Sequence, residues 1–494
     1  MKKFIIIAAT AVSMFSLVSC KEWLDINYSP NSPSPDMVNN NMILPAAEMA
    51  LSSRYGDYMR FMGGYLSEHY TQSFGTGNYL GYSKFTVSSS SVNATHSILN
   101  QCIANATQVR DNVEATGEWG TYLAATVIRV FAYQALVDAF GEVPYTEAHQ
   151  GAENLHPHFD DGATVYAGLI AELDAALAKV KGDETVATNF LFANQPSSAW
   201  IQFANGLKLK LLMRERGVAS VDDKLNALVT AGNFPTSDVA WTGIWSDETG
   251  KANPFYQEEF ATYFGSTQIN VGLNVALYRT MSESNDARLQ AFFTPNESGN
   301  YWGSISGYNM STSKKYKSAA FCRPNMKYDS PVYLLTVSEI DFFLSEYYRK
   351  VANNAAKAQE YYEAAVKASF ASAGASGAED VLAAWPYDGT DKSLGVQKWV
   401  ALSGTNNFEA WCELRRLGYP EMGDLTAEDI YDFTGDVLDE TVLAAGELYT
   451  PYQVDSKVGA GVVLQRFPYA QGALDYNKNC PEIKENTVPV FWAE

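Results

Sequence analysis

The chain has 494 residues, 47% of them hydrophobic and 13% aromatic, so it can bury a large core, and its length alone allows two or three domains. Its 56 Asp and Glu against 35 Lys and Arg give a formal net charge of -21, which repels polyanions and disfavours nucleic acid as a partner. The five cysteines lie too far apart for a zinc pattern or a Cys-x-x-Cys redox pair.

The chain opens on Lys2 and Lys3, followed by an almost wholly apolar run from Phe4 to Val18, the layout of a secretory signal peptide. That run is too short to span a bilayer as an anchor. It ends in Leu17-Val18-Ser19-Cys20, which is similar to the lipobox of bacterial lipoproteins and implies cleavage before Cys20 and lipidation of its thiol. Residues 1–19 are therefore expected to be a signal peptide, and lipid on Cys20 would hold the mature protein on a membrane without a spanning helix. Lys21-Glu22 resembles the acidic-and-lysine export signal that sends lipoproteins of Bacteroidota to the outer face. The Ser, Pro and Asn-rich stretch through Asn41 reads as a tether, so 20–41 is expected to be anchor and arm. The remaining cysteines, Cys102, Cys322, Cys412 and Cys480, read as buried free thiols, although an oxidising compartment permits one disulfide among them.

Beyond the tether, residues 42–494 read as one domain dominated by helices that come in pairs. The first pair is 92–113, with Ile98, Ile103 and Val109 on its buried side, and 118–139, with Leu123, Val127, Val130, Phe131 and Val137 at three-to-four spacing and a stop at Gly141 and Pro144. The second is 163–180, capped by Asp160 or Asp161, and 199–216, capped by Ser197 or Ser198. The third begins at a Thr336/Glu339 capping box, and Asn354 opens its second helix, which ends near Gly374. The fourth is 392–401 and 407–417, closed by Gly418 and Pro420. Four hairpins too thin to bury their own apolar faces should stack on one another like tetratricopeptide repeats, which puts the scaffold at 92–216 and 332–420. Residues 219–328 and 421–494 are rich in Gly, Asn, Ser, Thr and aromatics and are expected to be loops with short strands that face ligand or partner.

Oligosaccharides present apolar ring faces and a rim of hydroxyls, so a binder needs exposed aromatic planes flanked by amides or carboxylates. Three places have that composition: Phe74, Asn78, Tyr79 and Tyr82 in one loop; Tyr301 and Trp302, continuing to Tyr308-Asn309, in a second; and Trp241 with Trp245. Each ring could instead plug the core. His156-Pro157-His158 with Asp160 and Asp161 has the look of a metal cluster, but reads as a linker followed by helix caps. Gly75-Thr76-Gly77 lacks the third glycine of a phosphate loop, and Gly303-Ser304-Ile305-Ser306-Gly307 puts isoleucine where a nucleophile elbow needs serine. No metal or cofactor is expected. Carboxylate pairs for glycoside hydrolysis stay open, because their separation is a three-dimensional fact.

Several fragments, in order, resemble the SusD/RagB-like outer-membrane lipoproteins, the second SusD-like subgroup in particular. They are Cys20 with Leu24-Asp25-Ile26-Asn27 and Pro30-Asn31; Arg129 to Tyr133 with Leu136 to Tyr145; and Phe203 to Leu209 with Arg214. Gln397 to Leu402, Trp411 to Pro420, and Gln465 to Tyr469 with Asn477 complete the series. Where the family's closing motif continues with Ser-Glu, this chain has Gln471-Gly472-Ala473 and lacks that carboxylate. The resemblance implies an all-α dominated fold on four tetratricopeptide-like units. It also implies a SusC-like TonB-dependent transporter as partner and capture of an oligosaccharide or a peptide at the outer face of the outer membrane, without catalysis. A surface glycoside hydrolase and a purely structural scaffold are the competing readings. Arg415, Arg416 and Arg466, although inside the resembling stretches, are expected to satisfy buried carboxylates or helix ends rather than ligand.

Overall fold

The computed structural model describes residues 38–75, 77–262 and 270–493. Cys20 and most of the proposed tether lie outside them.

Helix α1 (Asn40–Ser53) starts where Asn39 accepts the Asn41 amide, and continues through a π-helical segment, Arg54–Met59, into α2 (Arg60–Leu66). The sequence reading saw neither helix and carried the tether two residues into α1. All eight helices of the expected pairs are present: α3 (Asn93–Glu114) with α4 (Trp119–Phe140), and α5 (Gly162–Leu177) with α6 (Ser197–Glu215). Past α7 (Asp222–Ala231) and α8 (Val275–Glu283) come α9 (Val337–Lys350) with α10 (Ala355–Ala373), and α11 (Asp391–Leu402) with α12 (Asn407–Leu417). Members of each pair pack on one another, α6 packs on α9, and α2 packs on α12, which joins the two halves. Helices α7 and α8 stand in the stretch expected to be loop and short strand. Only Leu225 and Leu228 of α7 are buried, a stripe too short to stand out in the sequence.

The caps explain the boundaries. Asp161 accepts the Thr164 amide at 2.9 Å, and Asn354 accepts that of Lys357 at 3.0 Å. Half of the Thr336/Glu339 box forms: Thr336 accepts the Glu339 amide, but the Glu339 carboxylate turns away to the Lys210 ammonium, 2.6 Å distant. Neither Ser197 nor Ser198 caps α6. Pro196 stands at the cap, and the Ser197 hydroxyl donates to Glu184, whose carboxylate also gathers the amides of Lys181 and Gly182.

Helix α4 is the spine. It is long and apolar enough to cross a bilayer, yet the apolar stretch that qualifies is entirely buried by its neighbours. It stops at Gly141, where φ is +84° and a Cβ would lie 2.8 Å from the Arg466 guanidinium, so only glycine fits. Arg466 donates there to the Phe140 carbonyl and, at 2.6 Å, to Glu142. Arg415 lies over Trp411 and donates to the carbonyls of Asp138 and Gln465. Arg416 pairs with Glu346 and Glu413, both at 2.6 Å. Around Arg416 runs a buried network in which Arg214 meets Asp138, Glu409 and Glu413, Lys210 meets Glu339 and Glu409, and Lys398 meets Glu413.

Helix α3 fixes the long direction. At its C-terminal end Asn112 donates to Asn40 at the start of α1; at its N-terminal end Asn93 accepts the Gly472 amide from the closing segment. The strands form two-stranded sheets, too small to be stable without the helices beneath them. In chain order they are β1 (Tyr70–Gln72), β2 (Val239–Trp241), β3 (Val271–Leu273), β4 (Phe293–Thr294), β5 (Arg323–Pro324), β6 (Val332–Leu335), β7 (Glu421–Thr426), β8 (Tyr431–Asp432), β9 (Val437–Leu438) and β10 (Glu447–Thr450). Antiparallel pairs are β1 with β3, β2 with β6, β4 with β5 and β8 with β9, whereas β7 and β10 run parallel. Among the described residues no disulfide forms: Cys102, Cys322 and Cys412 are buried thiols, and Cys480 is half-buried rather than buried.

Candidate functional site

Two of the three expected aromatic segments meet. The Gly75 amide donates to the Asn309 carbonyl at 2.7 Å, the Gln72 side chain donates to the Tyr308 carbonyl, and the Ser83 hydroxyl receives the Gly307 amide. A third strand of chain locks the second loop from behind: Tyr452 donates its amide to Ser306, and the Tyr449 hydroxyl accepts that of Ser306. Gly307, at φ +84°, is required at that crossing, because a Cβ would lie 2.1 Å from the Tyr452 carbonyl oxygen.

On this base the rings form a continuous wall. Trp302 stacks on Tyr316 with centroids 4.8 Å apart and meets Phe321 at 5.3 Å, and Phe321 meets Phe74 at 6.4 Å. Tyr316 leads to Tyr431 at 6.3 Å. Tyr431, Tyr308, Phe433 and Tyr452 then cluster, Phe433 lying 4.8, 4.9 and 4.5 Å from the other three. Phe433 is 37% exposed, in the turn between β8 and β9. It borders a cleft of about 570 Å³ together with Tyr308, Thr312, Lys314, Lys315 and Asp436. That volume lies within the range of small-ligand sites.

Asp436 holds the cleft's edge in place. Its carboxylate accepts the Tyr431 hydroxyl, the Ser313 hydroxyl at 3.1 Å, and the amides of Lys314 and Lys315 at 2.7 and 2.9 Å. The Tyr431 hydroxyl and these donors hold the Asp436 carboxyl well below the usual carboxylate range. Burial, with the Asp436 hydrogen bond and charge, pushes the Tyr431 phenol up. The site therefore offers ring faces, the hydroxyls of Tyr308 and Thr312 (2.6 Å apart), two ammonium groups and a carboxylate that is already saturated.

The other expected residues fare differently. Trp241 is fully buried in β2 against β6 and offers a ligand no face, which corrects its assignment to a site. Trp245, four residues on, is half-buried. Tyr79 is sandwiched between Phe61 and Tyr82, with centroids 4.8 and 5.8 Å away, and its hydroxyl donates to Glu259 at 2.6 Å. Tyr79 and Tyr82 thus pack over α2, and both are half-buried. Asn78 is exposed and lies 3.4 Å from Asn270. Tyr301 donates to the Phe293 carbonyl, and the Trp302 indole to that of Ala320. Sequence reasoning missed Tyr316, Tyr431, Phe433, Tyr452, Lys314, Lys315 and Asp436. The signal present for them was an aromatic beside Thr-Gly-Asp at 433–436, the composition of an exposed turn. His158 binds Glu147 at 2.9 Å, Asp160 takes the amides of Tyr145 and Thr146, and Asp161 caps α5, so the suspected metal cluster is dispersed. No group of three His, Cys, Asp or Glu among the described residues is placed to hold a metal ion.

Comparison with known proteins matches residues 35–433 to the second SusD-like group, described as starch-binding and associating with the outer membrane. No curated protein matches the chain. Solved structures match across nearly the whole chain. A SusD homolog from Bacteroides uniformis is 20% identical with a TM-score of 0.73, covering 92% of this chain and 99% of that one. A chitin-binding protein is also 20% identical, TM-score 0.71, covering 92% and 100%. A SusD homolog from Bacteroides thetaiotaomicron is 17% identical, TM-score 0.71, covering 92% and 99%.

Proposed function

This chain belongs to the SusD-like family, whose members bind starch or other glycans in association with the outer membrane, and from that premise we propose that it captures an oligosaccharide in the Phe433 cleft and passes it to a SusC-like TonB-dependent transporter. In this reading Cys20 carries the lipid, the protein faces the cell exterior, and it performs no chemistry on its cargo. The carrying observation is the exposed Phe433 ring, flanked by half-buried Tyr308 and Tyr452 and backed by buried Tyr431, beside a cleft rimmed with hydroxyl and ammonium groups. Phe433 packs one side against its neighbouring rings and leaves 37% of its surface at the cleft, where a pyranose can stack its CH face. One structural neighbour bears the name chitin-binding protein, which favours sugar over peptide as cargo.

The test is titration of the purified protein with a panel of oligosaccharides and peptides, comparing Phe433→Ala and Tyr308→Ala with the parent. Each substitution is expected to weaken binding more than tenfold, about 1.4 kcal/mol, with unchanged thermal melting and no cleavage products. Parental affinity in both variants would move the site elsewhere, and cleavage of the sugar would replace binder with enzyme.

A further inference from the structure

The wall of the cleft reverses the charge of the molecule that carries it. From Ser298 to Tyr328 the chain contains Lys314, Lys315, Lys317, Arg323 and Lys327 and no Asp or Glu, although acidic residues outnumber basic ones 56 to 35 overall. Lys314 and Lys315 line the cleft itself and are exposed. Their backbone is held by the Asp436 carboxylate, which binds both amides.

The ordinary explanation for paired lysines is a local carboxylate, and the geometry does not supply one. Asp436 spends its oxygens on the Tyr431 and Ser313 hydroxyls and the two amides. On the facing hairpin, Asp432 accepts the Thr434 amide within its own turn, and Asp439 accepts the amide and hydroxyl of Thr441. Lys315 lies over the Tyr316 ring at 5.0 Å, while Lys317 is used internally, donating to the Ser313 carbonyl and lying 5.2 Å over Phe74. No salt bridge forms to Lys314 or Lys315 among the described residues. Two exposed lysines, adjacent in the chain and beside the Phe433 ring, are left to meet a ligand that brings negative charge.

We propose that the cleft takes an anionic oligosaccharide, its ring face against Phe433 and Tyr308 and its carboxylate or sulfate on Lys314 and Lys315. The inference rests on the glycan-binding reading above and narrows it to a substrate class. The probes are tetragalacturonate, its fully methyl-esterified form, in which each carboxylate is a neutral methyl ester on the same sugar backbone, and a sulfated oligosaccharide, titrated against the parent, Phe433→Ala and Lys314→Gln/Lys315→Gln.

At least tenfold preference for an acidic sugar over the neutral ester is expected, falling as salt rises from about 50 to about 500 mM. The double lysine variant should lose that preference while melting like the parent. Preference for the uronate or for the sulfated probe identifies which anion the lysines read. Equal affinity for acid and ester, with Phe433→Ala still impaired, overturns this inference and leaves the glycan reading standing. Binding of an acidic peptide with no sugar bound overturns both.

Discussion

On α1, the Glu48 carboxylate is fully buried and accepts the amides of Phe190 at 2.6 Å and Leu191 at 3.4 Å. Burial outweighs both hydrogen bonds and pushes its carboxyl from 4.5 up to about 8. At neutral pH the native state therefore keeps a proton that the unfolded chain releases, so stability from this group falls as pH rises from about 4.5 to about 8 and is level beyond. Glu48→Gln keeps an acceptor and cannot ionise. Its stability relative to the parent should grow by about 3 to 5 kcal/mol between about pH 4 and about pH 9, measured by urea unfolding. Glu142 has the opposite sign. Despite the opposing effect of burial, its bonds to Lys484, Arg466 and Tyr469 hold it down to about 2, so its contribution is present above about 4.5 and lost as pH falls toward 2. Neither behaviour was legible in the sequence, because each depends on a partner more than a hundred residues away. The aromatic site was half legible for the same reason. Ring chemistry at Trp302 and Tyr79 can be read from composition, but whether a ring faces solvent depends on neighbours such as Glu259 or Phe61 that only the fold supplies.

At the level of elements, the paired helices were readable because each carries local marks: Asp161 and Asn354 at their starts, Gly374 and Gly418 in left-handed conformation at their ends, and stripes long enough to count. Helices α1 and α2 were not. Pro45 lies inside α1, and Gly63-Gly64 lies inside α2, where residues of those types ordinarily signal a break. The glycines are there for close approach. A Cβ on Gly63 would stand 2.4 Å from the Asn407 carbonyl oxygen and the Phe408 Cα, so α2 meets the start of α12 backbone to backbone. Gly63→Ala should part these helices at a cost of about 1 to 3 kcal/mol or more, seen as a lowered melting temperature. The hairpin of β8 and β9 escaped notice because two residues per strand are too few to show alternation, and it is this hairpin that places Phe433 in the cleft.

Across the whole molecule, the buried ion network ties α4, α6 and α12 at Arg214, which is the one cation shared by Asp138, Glu409 and Glu413 among the described residues. Arg214→Met strips the charge that these three carboxylates share, leaving Asp138 without a cation and Glu409 and Glu413 with one fewer each. A loss of about 3 to 5 kcal/mol is expected in denaturant unfolding, larger than for any exposed pair such as Lys251 with Glu248. The long axis of α3 has a different consequence. Its C-terminal end holds Asn40 at the start of α1, whereas its N-terminal end holds the Gly472 amide of the closing segment, about 33 Å away at 1.5 Å per residue. The first helix and the closing segment thus clasp opposite tips of one stiff rod. A rod of that length moves as one piece, so a shift of the first helix reaches the closing segment as a tilt rather than as a change of local shape.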